Sequence, residues 1–198
     1  MKSLFLAITA LILLFPLAAS CQSLETFAQL SEHDILLLNQ NGRQVRLYHD
    51  LIKGKVVAIN SVFTSCTTIC PVLGTNFASL TKKLGTHAGK DALLISISID
   101  PETDTPVRLK SWSEKFHGGP GWVLLTGSKS DVDAALKTLG IFTPDRFSHT
   151  PVVLIANDNT KEIKRLSGLA SCDKLATTMI HMVEGLPSDS TEKAIAAK

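Results

Sequence analysis

Short, strand-like apolar runs alternate with helix-period segments through the middle of this chain, and that alternation limits its fold more than any other feature. Val56–Val62, Leu93–Ile99, Trp122–Leu125 and Val152–Ala156 read as strands of a largely buried sheet. Between the first two, Cys70–Leu84 carries Leu73, Phe77, Leu80 and Leu84 at helical spacing, and Ser130–Leu139 reads as another helix. Asp104 or Thr105 caps a helix running to about His117, with Pro106 in its first turn. Asn157-Asp158-Asn159 turns the chain into a strand at Glu162–Leu166, and Ser171 caps a last helix that reaches about Glu184. Upstream, Asp34–Gln40 and Gln44–Tyr48 flank Asn41-Gly42, the strongest short hairpin signal in the sequence. The expectation is one α/β domain over residues 34–185. It has a mixed central sheet, helices on both faces and an N-terminal β-hairpin.

The ends read differently. Lys2, the apolar stretch Leu4–Leu17 and the small-residue exit Ala18-Ala19-Ser20 make residues 1–20 a secretory signal peptide, too short for a comfortable membrane span. Cys21 follows at once, so Leu17-Ala18-Ala19-Ser20-Cys21 resembles the lipobox of bacterial lipoproteins, with Leu17 four positions before the cysteine where a lipobox has Leu three before. Two outcomes stay open: a lipid on Cys21 that holds the N-terminus at a membrane, or plain cleavage. Either way the chain is exported. Residues 21–33 read as a loose linker, and 186–198, small and polar, as a flexible tail. Twenty basic residues against 18 acidic ones give a formal charge of +2 without basic runs, which argues against nucleic acid as a partner.

The chemistry concentrates in Phe63-Thr64-Ser65-Cys66-Thr67-Thr68-Ile69-Cys70-Pro71. Two thiols four residues apart follow a strand and open a helix. In a helix, positions i and i+4 share a face, and the positive end of the helix dipole favours thiolate over thiol. Such a pair can bind a soft metal, cycle between dithiol and disulfide, or form an inert staple. The chain has four cysteines. With Cys21 assigned to the terminus, Cys66, Cys70 and Cys172 remain, and that odd number favours a functional pair over a staple. Two further segments sit at strand ends, where ligands gather in parallel-type sheets: Ser98-Ile99-Asp100-Pro101-Glu102-Thr103-Asp104-Thr105-Pro106, and Phe147-Ser148-His149-Thr150-Pro151 before a late strand.

Together, Cys66-x-x-x-Cys70-Pro71, Asp100-Pro101-Glu102-x-Asp104-Thr105-Pro106, Trp122–Gly127 and His149 resemble the Sco/SenC family of copper-binding, thioredoxin-fold proteins that help assemble the copper centre of cytochrome c oxidase. The resemblance spans residues 34–185. It implies a thioredoxin-like fold and one copper ion held by Cys66, Cys70 and His149, with a respiratory oxidase subunit or other copper protein receiving the metal on the periplasmic side of a bacterial membrane. Two thiolates and one imidazole suit Cu(I), and with a further donor the same set can hold Cu(II). Asp100 or Asp104 would orient His149 or a loop without binding the metal. Two departures matter. The family commonly carries Pro-Asp between its cysteines where this chain has Thr67-Thr68, so a negative charge beside the thiols is missing. Pro151 falls where thioredoxins place a proline, often cis, facing their cysteines, which lends weight to thiol-disulfide exchange as the alternative function, with Cys66 as attacking thiol and Cys70 resolving. Cys172 reads as a small semi-buried residue and Met179 and Met182 as core, despite their affinity for copper. A peroxidase reading lacks an Arg and Thr beside a thiol.

Overall fold

The computed structural model describes residues 22–145 and 150–186. The signal peptide, Cys21, His149 and residues 187–198 therefore lie outside the described residues. Seven strands, β1 (Leu36–Asn39), β2 (Gln44–Arg46), β3 (Val56–Val62), β4 (Ala92–Ser98), β5 (Trp122–Thr126), β6 (Val152–Asn157) and β7 (Glu162–Ser167), form one sheet in the order β2-β1-β5-β4-β3-β6-β7. The central strands β3, β4 and β5 run parallel, while β1 pairs antiparallel with β5, and β6 pairs antiparallel with both β3 and β7. The sheet is mixed, as the alternation of elements led one to expect.

Both faces are covered. The helices α2 (Ile69–Leu84), α3 (Pro106–Glu114) and α5 (Cys172–Glu184) supply Phe77, Leu80, Leu109, Trp112, Leu175 and Met179 to a core built on Val56, Ala58, Leu94 and Leu124. On the other face, α1 (22–33), a short π-helix (Leu47–Ile52) and α4 (Lys129–Thr138) pack Phe27, Leu30, Leu47, Val132 and Leu136 over Val57, Ile59, Ile95 and Leu154. β3 and β4 are buried along their whole lengths because residues of alternating direction meet helices on either side. Met179 and Met182 are core residues, as expected.

Three expectations need correction. Residues 22–33 are no loose linker: they form α1, with Phe27 and Leu30 buried against the sheet and Lys161 Nζ 4.8 Å from the Phe27 ring centroid. Leu24, Phe27 and Leu30 recur three apart, too few in a short polar stretch to announce a helix; tertiary burial of Phe27 and Leu30 supplies what periodicity lacked. The second hairpin strand stops at Arg46, where the chain enters the π-helix and buries Leu47, Leu51 and Ile52. The third helix starts on Thr105, whose hydroxyl accepts from the Arg108 amide, and ends at Glu114, short of His117. The hairpin turn itself is as read: Gly42 has φ +75° and Asn39 Oδ1 accepts from the Asn41 and Arg43 amides.

Parallel pairing has a consequence for function. Val62 lies opposite Ser98, so the loops leaving β3 and β4 emerge at the same end of the sheet. Antiparallel pairing of Asn60 with Val153 brings the start of β6 to that end too.

Candidate metal and thiol site

Cys66 sits in the loop between β3 and α2, not on the helix, because α2 begins only at Ile69. The shared helix face expected from the i, i+4 spacing is therefore not what brings the sulfurs together. The loop turns tightly, with the Cys66 amide donating to the Phe63 carbonyl at 3.2 Å. That turn places Cys66 Sγ over the helix start, where it accepts from the Cys70 amide at 3.4 Å. The sulfur thus meets one of the first-turn amides that helix geometry leaves without a partner. Thr68, the residue before α2, makes no side-chain cap; its hydroxyl lies 3.6 Å from Cys66 Sγ instead.

In this structure both thiols are free, as is Cys172. Cys66 is 9% exposed and Cys70 fully buried. Burial pushes the Cys66 thiol up, but hydrogen bonds from the Cys70 amide and from the amide and hydroxyl of Thr68 outweigh it and bring the thiol down to about 7. Burial drives Cys70 the other way, up to about 12, and the neighbouring Cys66 sulfur and Asp104 carboxylate add to the rise. The two sulfurs are thus pushed in opposite directions, Cys66 toward thiolate and Cys70 toward thiol.

Asp104 is completely buried. It accepts from the Thr64 amide at 3.1 and 3.2 Å, from the Thr64 hydroxyl at 2.5 Å and from the Ser98 hydroxyl at 2.7 Å. Among the described residues its carboxylate thus bridges the thiol loop, at Thr64, and the end of β4, at Ser98. Arg108 Nη2 approaches Thr64 Oγ1 at 3.5 Å from the outside. Asp100, also buried, closes the turn after β4, its carbonyl accepting from the Thr103 and Asp104 amides and its own amide donating to Ser98 Oγ. Sequence reasoning missed Thr64, Ser98 and Arg108 as parts of the site, since no local pattern links Thr64 to a carboxylate forty positions on.

The start of β6 meets the thiol helix through Gly168. A Cβ there would lie 2.9 Å from Leu73 Cδ2 and 3.0 Å from Pro151 Cβ, and the Gly168 amide donates to the Pro151 carbonyl at 2.8 Å. Pro151 thus stands close to α2 one turn beyond Cys70. Among the described residues no peptide bond is cis, so the cis-proline expected at Pro151 is corrected to an ordinary trans bond. Among the described residues no three His, Cys, Asp or Glu side chains gather to hold a metal; His149 lies outside them. Cys172, half-buried on α5 with its thiol 3.8 Å from the Asn76 carbonyl, is the small packed residue expected.

A model of the SCO1/SenC family matches residues 25–184. The chain belongs to that family. A SCO1 protein homolog of Bacillus subtilis is 30% identical over 167 residues, covering 80% of this chain and 85% of the relative. A structure of BsSco, a member of the Sco family of cytochrome c oxidase assembly proteins with a disulfide switch, is 28% identical at a TM-score of 0.63 and covers 75% of this chain and 91% of that one. Arabidopsis thaliana ScoI, solved with copper bound, aligns at a TM-score of 0.63 over 76% of this chain and 96% of its own; at 22% identity that likeness speaks to the fold alone. This SCO1/SenC protein has the thioredoxin-like architecture that the resemblance implied, with its thiol pair where β3 hands over to α2.

Proposed function

We propose that this SCO1/SenC protein is a copper-binding accessory protein for assembly of the copper centre of cytochrome c oxidase, and that it grips one copper ion through the Cys66 and Cys70 thiolates and the His149 imidazole. The observation that carries the reading is the pair of free thiols at the sheet end where β6 begins, three residues after His149 in the chain. Soft thiolates select Cu(I), and a trigonal set of two sulfurs and one nitrogen leaves a side open for handing the ion on. Binding must displace the Cys70 proton, so metal affinity rises with pH. Family membership and the kinship with BsSco support cytochrome c oxidase assembly as the setting.

Anaerobic competition of the reduced protein against a Cu(I) chelator tests this. Cys66→Ser, Cys70→Ser and His149→Ala should each weaken Cu(I) binding by about tenfold or more. Wild-type affinity in His149→Ala would remove the imidazole from the ligand set and leave the second reading.

That reading is thiol-disulfide exchange, and the opposed ionisation of the two sulfurs favours it. The Cys66 thiolate would attack a substrate disulfide, forming a mixed disulfide and expelling one substrate thiolate. Cys70 would then lose its proton and attack the Cys66 sulfur, releasing the second substrate thiol and leaving Cys66 and Cys70 oxidised. The reading predicts insensitivity to His149→Ala and dependence on both cysteines.

Location is part of the proposal. The signal peptide would deliver the chain to the periplasmic side of a bacterial membrane, and a lipid on Cys21 would anchor it there. Because the helical residues 22–33 pack Phe27 and Leu30 against the sheet, such an anchor would hold the domain close to the bilayer. Cys21→Ser should then move the protein from the membrane to the soluble fraction.

A further inference from the structure

We infer that Asp104 is the positioning residue of the thiol loop: it clamps Thr64, and through Thr64 it fixes the Cys66 sulfur over the Cys70 amide. The inference concerns the same site as the proposed function, but its thiol readout stands without copper.

A fully buried carboxylate persists only when its oxygens are hydrogen-bonded. Asp104 spends them on two neighbours, with Oδ1 taking the Thr64 hydroxyl and Oδ2 the Ser98 hydroxyl, while the Thr64 amide is shared between both oxygens. Ser98 is the last residue of β4, a rigid central strand buried throughout. The Asp104 amide is itself tied to the Asp100 carbonyl at 2.8 Å, and the next residue caps α3. One partner of the carboxylate is therefore fixed scaffold and the other is loop. Thr64 lies two residues before Cys66, inside the turn closed by the Cys66 amide and the Phe63 carbonyl. No helical geometry holds Cys66, since α2 begins after it. The Asp104–Thr64 contact is what references the sulfur to the sheet.

The clamp also explains the residue types. Asparagine would turn one acceptor oxygen into a donor facing the Thr64 amide or one of two hydroxyls. Valine at position 64 would keep the shape and the amide but lose the strongest-placed hydroxyl, whereas serine would retain it.

The test is the rate at which iodoacetamide alkylates Cys66 at pH 7 in the reduced full-length protein, read by mass spectrometry of the Cys66 peptide, with thermal melting of each variant. Asp104→Asn and Thr64→Val should each slow Cys66 alkylation, by about tenfold for Asp104→Asn, and Thr64→Ser should restore the wild-type rate. The Asp104→Asn/Thr64→Val double variant should be no slower than Asp104→Asn alone, because the two residues act as one unit. Ser96→Ala controls for stability. It breaks a buried chain from Trp122 Nε1 through Ser96 to Asn60 on the same sheet, and should lower the melting temperature without changing the alkylation rate. If Asp104→Asn fails to fold, Thr64→Val and Thr64→Ser carry the test. A wild-type rate in Thr64→Val, additive effects in the double variant, or an equal slowing by Ser96→Ala overturns the inference. A slowed rate with unchanged Cu(I) affinity would leave the inference standing and count against the copper reading alone.

Discussion

The Thr68 hydroxyl, 3.6 Å from Cys66 Sγ, is a clean place to test how this site makes a thiolate. Thr68→Val removes that hydroxyl, keeps the side-chain shape, and leaves the Thr68 and Cys70 amides in place. The wild-type thiol sits at about 7, against 9.0 for an ordinary cysteine, although burial works against ionisation. One modest hydrogen bond to the sulfur is worth about 0.5–1.5 kcal/mol, or roughly 0.4–1 pK unit. Losing it moves the inflection up from about 7 by that amount. At pH 7 the thiolate fraction then falls from about one half to somewhere between about a quarter and a tenth, and alkylation slows roughly two- to fivefold. The assay is iodoacetamide modification of anaerobic, reduced protein from pH 5 to pH 10, followed peptide by peptide. Wild-type Cys66 should show a single rise centred near 7, while Cys70, held near 12, should stay almost unreactive across the range. Above about pH 9 the variant should catch up with wild type, because both are then ionised. A wild-type inflection near 9, or a Thr68→Val profile that overlays the wild type, would refute the idea that loop donors make the thiolate.

Three further outcomes test the frame around the site. Gly168→Ala forces a methyl against Leu73 and Pro151, so it should cost about 1–3 kcal/mol in urea melts and also weaken Cu(I) binding by shifting the start of β6 from α2; unchanged affinity in a destabilised variant would uncouple that contact from the site. Phe27→Ala should cost about 3–5 kcal/mol by emptying the pocket under α1, and a loss below about 1 kcal/mol would mean that α1 is not part of the core. Burial raises the Asp158 carboxyl, but hydrogen bonds from Lys161, the Gly54 amide and the Tyr48 hydroxyl outweigh it and hold it below the ordinary 3.8. A depressed folded value stabilises the protein fully above the unfolded value and loses that contribution as pH falls through the folded one. Asp158→Asn should therefore cost about 1–3 kcal/mol at pH 7, with the gap to wild type closing below about pH 4 in thermal melts.

Much of this architecture was legible in the chain because the central strands carry their own signal. Val56–Val62 matches its strand end for end, and β4, β5 and β6 fall within a residue of their apolar runs, since fully buried parallel-type strands must be apolar on both faces. α2 and α5 begin within a residue of where periodicity and capping put them. Marginal elements were harder to read. α1 has only two core residues, and the π-helix follows a strand without any breaker. At the site, the two cysteines and Asp104 stood out by residue type and motif, but the role of each was hidden. The spacing of Cys66 and Cys70 suggested a helix face, and the chain instead bends through a loop that sets one sulfur against a first-turn amide of α2.

The sequence alone determined the alternation of strands and helices, the position of the thiol pair and the kinship with SCO1/SenC proteins, because each is written in residues near one another along the chain. Tertiary structure decided which sulfur is pushed toward thiolate, which distant residues meet the loop, and that α1 belongs to the core. Those properties depend on burial and on hydrogen bonds between residues far apart in the chain, such as Thr64 with Asp104 and Tyr48 with Asp158. Local pattern has no access to them, since solvent exclusion and long-range contact come into being only when the sheet closes.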